Sequence, residues 1–504
     1  MLAPDYLDHA PDRLVLLWQQ VEDDILRDVA RRISKMETLT PTANWQLWRY
    51  QQTEAVRQDV IKKLARYTGK SESAIRQLMQ EAATRALEAE DQIYHHYDLE
   101  PTPFAENETL QALLNAGYQQ TAGTFSNLTA TTANTVSGQF EAALDRAHLK
   151  VSSGAFDYKS AIKSAVDSLA DTMKYVTYPT GHQDTLEVAC RRAVLTGVNQ
   201  TAAKLQVARA DEMGVEFFSV TAHGGARPSH AAWQGKTYHR GGAVDYLGKH
   251  YEDFESVTGY GTGAGLCGWN CRHAFFAVFP ELGAPPAWTQ ESLDALNACD
   301  IEYDGKKYTQ YEINQMQRAR ERAVRKWKRR YLAEDAAGAD TTQSAVKLRA
   351  ARAELADFTA RTGGRVDSAR TMVSGFGRSQ SSKATWAAKK QERLDAVNND
   401  LTELRQSGKI RMTGAAVVPP ILPNTLNFEG HSLEQMAKRQ ISLAQANEIA
   451  EHAILAISQR NGTQHSYYSD KGFIVIKQDG SIGTVGWLDD GGKQIVEVMK
   501  KHGF

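Results

Sequence analysis

The sequence has few cysteines, no long apolar run and almost no net charge. Its four cysteines are too few for a disulfide scaffold in 504 residues, which favours synthesis in a reducing cytoplasm. No apolar run reaches the roughly 18 residues that a membrane span requires, and the first residues lack the basic and apolar segments of a secretory signal. Because 59 Lys and Arg residues face 60 Asp and Glu residues, no overall field attracts nucleic acid or a membrane. We therefore expect no membrane partner.

The chain does contain enough apolar sequence for several cores. With 504 residues, of which 42% are apolar, roughly two to four domains are expected. Over residues 1–182, apolar side chains such as Leu14 and Trp18 recur at three- and four-residue spacing, which predicts a long N-terminal helical region. Thr68 and Gly69 form a turn signal inside this region and predict a break between two helices. The expected fold is multidomain and mainly α.

Residues 183–300 differ from this pattern in composition. After a first helix they become rich in Gly, His and aromatic residues, with short strand-like runs and little helical periodicity. A long irregular stretch of this kind inside a compact domain is usually functional or held together by a metal. We therefore predict an irregular α+β domain in the middle of the chain.

A group of cysteine and histidine residues in this domain has the spacing of a zinc site. Three residues separate Cys267 from Cys271, and His273 follows after one more. This spacing lets a short loop surround a tetrahedral zinc ion, with His230 as the predicted fourth ligand. A bound zinc would order a glycine-rich segment, since ligation contributes on the order of 10 kcal/mol in small zinc domains. No cofactor is expected to be required apart from this candidate structural zinc. The alternative fourth ligands are His223 and His239.

Two other interpretations of these residues stay open. Both cysteines are compatible with buried small apolar side chains, with the histidines hydrogen-bonded to loop carbonyl groups. A nucleophile and base formed by Cys267 or Cys271 with His230 is less favoured, because no helix start lies at either cysteine to lower the pKa of its thiol.

Residues 301–412 are predicted to form a helical basic segment that ends in a linker. Eight Arg or Lys residues lie between Arg318 and Arg330, with Glu321 as the single acidic residue among them. A basic face of this kind can follow the phosphates of DNA, with binding that depends steeply on salt. The same side chains can instead be solvated or can pair with acidic protein surfaces, and both alternatives stay open.

Several short motifs carry a resemblance to a known family. They are HGGARPSH from His223, CGWNCRH from Cys267 and SGFGRSQ from Ser374. In these motifs the chain resembles the phage minor capsid proteins, a family distantly related to Mu-type head morphogenesis proteins, over about residues 1–400. The resemblance implies a structural protein of the virion, internal to the head or associated with the portal, and made in the cytoplasm of the host bacterium. The implied partners are the portal protein, other capsid or scaffold proteins and phage DNA.

A proline-rich connector, residues 413–427, is predicted to separate the last domain, residues 428–504, from the rest of the chain. Two helices, the second near residues 443–459, precede three strand-like runs and a final helix. Asp479 and Gly480 lie between two of these runs and predict a two-residue hairpin, because both positions tolerate positive φ. The expected domain is small and α+β, with a short antiparallel sheet.

This last domain resembles the phage-borne branch of the barnase, EndoU, colicin and RelE nuclease superfamily, through the phrases HSLEQMAKRQIS, HSYYSDKGFIVI and DGSIGTVGWL. The resemblance implies a metal-independent ribonuclease with RNA as its substrate. His431 would act as general acid or base, and His465 is the competing base. The cations that would stabilise charge on the phosphate are Lys438 and Arg439. The side chains that would position the phosphate are Tyr468 and Thr484.

Three functional hypotheses follow from the two resemblances. The first is a head morphogenesis protein that carries a ribonuclease effector domain at its C-terminal end. The second is a purely structural and binding protein whose last domain is not catalytic. In the third, the whole chain is a toxin that is packaged in the virion and delivered with the genome, and the segment that resembles head proteins serves only as a packaging tag.

Overall fold

The chain forms two compact units. The first unit spans Met1–Ser381 and the second unit spans Ser382–Phe504. The predicted multidomain and mainly helical fold is confirmed. No helix in the described parts of the chain is long and apolar enough to cross a membrane. Residues 423 and 424 of the predicted connector lie outside the described residues, and the predicted division into five segments stays a prediction. The computed structural model describes residues 1–36, 42–153, 157–178, 180–283, 285–422 and 425–504.

The first unit begins with a bundle of long helices. These helices are α1 (Pro4–His9), α2 (Asp12–Ser34), α3 (Thr42–His96), α4 (Glu108–Ser152), α5 (Tyr158–Thr172) and α6 (Leu186–Met213). The side chains of Asn107 and Thr185 accept hydrogen bonds from the backbone amides of the third residues of α4 and α6, which fixes where both helices begin. Trp18, Phe125 and Phe140 lie in one continuous apolar core that α2 to α6 share. Their burial accounts for the periodic apolar pattern.

The helix break predicted at Thr68 and Gly69 is wrong, because α3 continues through both residues. A glycine inside a helix costs about 1 kcal/mol relative to alanine. The helix packs against α2, α4 and α6, and it buries Leu64 and Ile75 on either side of the glycine. This packing outweighs the local cost.

A small three-stranded sheet follows the bundle. A two-stranded ribbon, β1 (Val176–Thr177) and β2 (Gln183–Asp184), precedes α6. The elements that follow α6 are β3 (Phe217–Val220), α7 (Pro228–Ala231), β4 (Thr237–His239), β5 (Val244–Tyr246), β6 (Lys249–Tyr251), α8 (Phe254–Thr258), β7 (Phe275–Ala277), a 3-10 turn (Pro280–Leu282) and α9 (Gln290–Leu296). The sheet is antiparallel in the order β4, β3, β7. Its core is aromatic, with the ring of Phe218 centred 5.2 Å from Phe254 and 5.0 Å from Phe275.

A helical segment completes the first unit. A hairpin, β8 (Cys299–Tyr303) and β9 (Lys306–Thr309), leads into it. Its helices are α10 (Gln310–Ala336), α11 (Thr342–Thr362), α12 (Ser368–Thr371) and α13 (Arg378–Gln406), of which α13 continues into the second unit. The side chains of Thr309 and Glu312 form a capping box at the start of α10. α10 packs against α2, α5 and α11, so the basic segment is part of the core architecture.

Arg329 of α10 is enclosed by three carboxylates from two other helices. Its Nη1, Nε and Nη2 atoms lie 3.0, 2.8 and 3.7 Å from carboxylate oxygens of Glu22, Asp23 and Glu187. Burial raises the pKa of Glu22 to about 7, while the charge of Arg329 opposes this shift. Asp23 also accepts a 2.7 Å hydrogen bond from the backbone amide of Ser374. The network therefore joins α2, α6 and α10 to the SGFGRSQ motif.

The second unit is a five-stranded antiparallel sheet between helices on both faces. Its elements after α13 are β10 (Ala415–Val417), α14 (His431–Arg439), α15 (Leu443–Glu451), β11 (Leu455–Gln459), a 3-10 turn (Arg460–Gly462), β12 (Gln464–Tyr468), β13 (Gly472–Lys477), β14 (Ile482–Trp487) and α16 (Asp490–Lys501). The strands follow one another in chain order. On one face Tyr468 packs with Leu401 of α13 and Met499 of α16. On the other face Tyr467 packs with Met436 of α14.

Two details of this unit differ from the prediction. Leu455–Gln459, expected to end the second helix, forms the strand β11 instead. Leu455 and Ala456 point to the two opposite cores, so this strand is buried on both faces and lacks the alternation that marks a half-exposed strand. The predicted connector contributes the strand β10. The hairpin predicted at Asp479 and Gly480 is confirmed, because these residues join the antiparallel strands β13 and β14. The two-residue turn is wrong, since β13 ends at Lys477, β14 begins at Ile482, and of the two predicted turn residues only Gly480 has a positive φ.

The buried network predicts a large loss of stability for Arg329→Ala. The substitution leaves the carboxylates of Glu22 and Asp23 buried without their cation, which costs about 3–5 kcal/mol in comparable networks. We expect the urea midpoint of unfolding, followed by far-ultraviolet circular dichroism, to fall accordingly. Arg66→Ala is the control, because Arg66 is exposed on α3 and its loss should change stability by no more than about 0.5 kcal/mol. Equal midpoints for both variants would refute the role given to Arg329.

Candidate metal centre

Two segments of the first unit bring a histidine, a cysteine and a second histidine together. His230 lies on α7, after β3, whereas Cys271 and His273 come just before β7. The backbone amide of Thr221 donates to the carbonyl oxygen of Ala274 at 2.9 Å, and the amide of Ala274 donates to Thr221 Oγ1 at 2.9 Å. These bonds extend the pairing of β3 and β7, so the two segments stay side by side.

The His–Cys–His cluster, His230, Cys271 and His273, has the dimensions of a tetrahedral metal site. Cys271 Sγ lies 3.7 Å from His230 Nδ1 and 3.6 Å from His273 Nδ1, and the two Nδ1 atoms are 3.4 Å apart. A tetrahedral zinc ion with ordinary bond lengths separates two nitrogen ligands by about 3.4 Å, and a nitrogen from a sulfur by about 3.6 Å. The three side chains are buried, and their ligand atoms already occupy three corners of such a tetrahedron.

The outer ring nitrogens determine which nitrogens are free to bind a metal. His230 Nε2 lies 2.9 Å from the carbonyl oxygen of Ala264, and His273 Nε2 lies 3.0 Å from Gln234 Oε1. Gln234 Oε1 also accepts a 3.1 Å hydrogen bond from the backbone amide of His223, so this atom is an oxygen. Since oxygen only accepts here, both Nε2 atoms carry hydrogen and both Nδ1 atoms present lone pairs to the centre of the cluster.

Burial keeps all three side chains of the cluster neutral. It lowers the pKa of His230 to about 4 and lowers the pKa of His273 well below its usual value. Burial also raises the pKa of the Cys271 thiol. The thiol proton can reach only one of the two Nδ1 lone pairs at a time, so a shared metal ion would satisfy the group better than hydrogen bonding does.

The other residues considered for the zinc site lie outside this cluster. Cys267 is buried in the aromatic core, and its thiol lies 3.6 Å from the carbonyl oxygen of His273. The ring of His223 is centred 4.3 Å from that of His273, and its buried Nε2 has no hydrogen-bond partner among the described residues. His239 is on β4, where it contacts the carbonyl oxygen of Gly242. The structure therefore brings together three of the four predicted ligands.

Two buried amides hold the cluster in place, and the sequence analysis did not identify them. Gln234 bridges His273 to Asn297 Oδ1, to which it donates at 3.1 Å. Asn199 of α6 donates to the carbonyl oxygens of Cys271 and His273 at 3.1 and 3.0 Å. The sequence does contain a signal for Asn199, which is a polar residue within the apolar stripe of α6. A buried amide nearly always has specific hydrogen-bond partners, so its position could have indicated such a contact.

Close backbone contacts explain the glycines that precede the cluster. A Cβ atom at Gly265 would lie 2.0 Å from the carbonyl oxygen of Gly259, and one at Gly268 would lie 2.4 Å from that of Gly263. Both contacts involve backbone and cannot relax by side-chain rotation. The loop folds back on itself, which places the carbonyl group of Ala264 against His230.

Comparison with protein families identifies the chain at the level of the family. Residues 2–360 match the family model described as Phage minor capsid protein 2. The chain belongs to this family. As a minor capsid protein it is a component of the phage head, with the virion as its location and other capsid proteins as its partners. No curated protein and no solved structure matches the chain. The match spans nearly all of the first unit of the minor capsid protein and none of the second.

The basic run on α10 of the minor capsid protein is largely neutralised by partners within the first unit. Arg329 pairs with the network described above, and Arg330 lies 2.6 Å from Asp167. Among the described residues, Arg322 is the one basic side chain of this run without a hydrogen bond or ion pair. The other side chains with partners are Arg318, Arg320, Arg325, Lys326 and Lys328. Binding of DNA by this helix stays a prediction.

The residues predicted to form a ribonuclease site are spread over the second unit of the minor capsid protein. Arg439, at the end of α14, donates to Thr484 Oγ1 at 3.2 Å and to the carbonyl oxygen of Val485. Tyr468 is only 2% exposed and lies in the core on the sheet face opposite to α14. His431 and Lys438 are both exposed, His431 at the start of α14 and Lys438 near its end. The half-buried ring of His465 lies on the same sheet face as Tyr467.

Of the predicted ribonuclease residues, all of which lie in the described part of the chain, Arg439 and Thr484 are the pair joined by a hydrogen bond. Burial places the hydroxyl group of Tyr468 away from the surface that a phosphate would reach. The ribonuclease residues stay a prediction, and this burial does not favour the role given to Tyr468.

Proposed function

We propose that this minor capsid protein acts in head morphogenesis, as a portal-associated or internal component that assembles through its first unit. The supporting observation is the family match, which covers residues 2–360 and ends before the second unit begins. The proposed partners are the portal protein and other capsid or scaffold proteins.

The first unit is suited to an assembly role because it is internally braced. Helices α2 to α6 share one core, and the charges of α10 are mostly satisfied by carboxylates on neighbouring helices. A protein–protein interface changes shape little when its surface rests on a rigid body. Two alternatives remain for the second unit. It serves only for binding, or it is part of a toxin that is packaged in the virion.

This proposal predicts specific contacts inside the particle. In cross-linking mass spectrometry of purified procapsids, we expect cross-links to the portal protein from lysines of the first unit, such as Lys62 and Lys63. Cross-links from Lys477 and Lys493 of the second unit serve as the comparison and should be rarer. The proposal would be refuted if purified virions and procapsids did not contain the protein. Cross-links to the portal protein from the second unit alone would show that the second unit, and not the first, mediates assembly.

We also propose that the His–Cys–His cluster binds a zinc ion in the assembled protein. The support is the agreement between its three interatomic distances and a tetrahedron, together with the oxygen acceptors that hold both outer nitrogens. Two nitrogens and one sulfur are a donor set that suits zinc. The three residues also line a cavity, from which a water molecule can supply the fourth ligand.

Zinc content provides the test. The full-length protein, purified without chelators, should contain about one zinc ion per chain by elemental analysis. We expect Cys271→Ser and His230→Ala to lose the metal, whereas Cys299→Ser should retain it, since Cys299 is exposed on β8. A ratio near zero in the parent protein, or equal zinc in the Cys271→Ser and Cys299→Ser variants, would end the zinc proposal.

For the second unit, the ribonuclease stays a prediction from resemblance. Its structural support is the contact between Arg439 and Thr484 on the edge strand β14, with Lys438 exposed beside it. A guanidinium ion held at an exposed edge can bind a phosphate group. The purely structural hypothesis gives these residues no chemical role.

Incubation of the full-length protein with total RNA separates the two hypotheses. If the second unit is a ribonuclease, His431→Ala and Arg439→Ala should each slow cleavage by about a hundredfold or more, because general acid–base catalysis and charge stabilisation are of that size. Arg411→Ala removes an exposed cation of the same unit and should leave the rate unchanged. Absence of cleavage, or equal rates in all three variants, would remove the catalytic claim.

A further inference from the structure

A large cavity in the described part of the first unit has an unusual charge. It has a volume of about 1100 Å³, and eight arginine side chains line it against four carboxylates. Arginine presents several fixed N–H donors and stays protonated when partly buried. Arg192 and Arg370 also pair, at 3.0 Å, with Asp184 and Asp367, which do not line the cavity. With these two carboxylates included, the guanidinium groups still outnumber the carboxylates, and an anion would neutralise the excess.

Asp8 illustrates the shortage of negative charge. Its carboxylate is 2.8 Å from Arg370 and 3.7 Å from each of Arg272 and Arg318. One carboxylate therefore serves three guanidinium groups, and only the contact with Arg370 has hydrogen-bond length. Arg272 Nη2 also donates to the carbonyl oxygen of Gly225, at 3.5 Å. The N–H groups of Arg318 that Asp8 does not engage are available to a ligand in the cavity.

The local electrostatics agree with this count of charges. Burial together with the charges of Arg370 and Arg272 lowers the pKa of Arg318 to about 10. Arg322, one helical turn further along α10, also lines the cavity and has no ion pair or hydrogen bond among the described residues. Arg227 also lines the cavity and donates to the carbonyl oxygen of Trp269, at 2.6 Å. These guanidinium groups repel one another in the absence of an anion.

The ring of Trp269 adds a second type of contact. Its side chain lines the same cavity and is 59% exposed. Large exposed aromatic rings beside cationic groups are typical of surfaces that stack a nucleic-acid base or a similar flat ring. The volume is slightly above the usual range of about 300–1,000 Å³ for pockets that hold small molecules, which fits a nucleotide better than a folded polymer.

We propose that this arginine-lined cavity binds a small ligand with several phosphate groups, of the size of a nucleoside triphosphate. The phosphates contact Arg318, Arg322 and the arginines around Asp8, and the flat ring of the ligand stacks on Trp269. This proposal goes beyond the role in head morphogenesis and does not depend on a metal in the His–Cys–His cluster, although the cluster and the proposed ligand site line the same cavity.

Calorimetric titration of the full-length protein with ATP and with inorganic tripolyphosphate tests the proposal. Binding of both probes is expected, with a dissociation constant that rises about tenfold for Arg318→Gln and for Arg322→Gln, since each substitution removes charge-assisted hydrogen bonds. Arg66→Gln is the matched control, because Arg66 is exposed and does not line the cavity; its affinity should equal that of the parent protein. Arg322 is exposed as well, so its substitution should not disturb folding.

A second measurement distinguishes a binding site from a structural ion-pair cluster. Without ligand, Arg318→Gln should leave the melting temperature unchanged or raise it, because it relieves repulsion among the arginines. A lower melting temperature without any change in affinity would show that Arg318 is structural. The proposal is also overturned if neither probe binds, if all three variants bind equally, or if only a duplex DNA oligonucleotide binds.

Discussion

The buried charge of Arg329 is the interaction on which the arrangement of the first unit depends. A guanidinium ion enclosed by carboxylates is stable only when all of its partners are in place, because each ion left alone would be buried at a large cost in free energy. The partners are on α2 and α6, and the arginine is on α10. These three helices therefore have fixed mutual positions. Since α6 also carries Asn199, which holds the backbone at Cys271 and His273, the geometry of the cluster depends on the same constraint.

Local patterns in the sequence predicted most of the helices and the final hairpin. The apolar periodicity of α2 and the turn residues Asp479 and Gly480 act over a few residues, so neither requires knowledge of distant parts of the chain. The predictions failed where distant packing decides the outcome. Gly69 remains helical because α4 and α6 cover α3, and Leu455–Gln459 is a strand because helices cover both of its faces.

The same distinction applies to the candidate sites. Cys271 and His273 are two residues apart, so their spacing alone indicated a common site. His230 follows β3 in the chain, and it lies beside them because β3 pairs with β7. Cys267 was expected to join them, but its positive φ of 57° turns the chain and directs the thiol into the aromatic core. For the basic run on α10, composition revealed the charge but not its partners. Glu22 and Arg329 are more than 300 residues apart in the sequence, and only the fold places them in contact.

The helix α10 combines two roles along its length, with Arg318 and Arg322 at the cavity and Arg329 in the buried network. Insertion or deletion of one residue between these positions would rotate one half of the helix by about 100° relative to the other and shift it by about 1.5 Å. Either the cavity or the network would then lose its arginines. Relatives that keep both features should therefore vary in residue type along this stretch but not in its length.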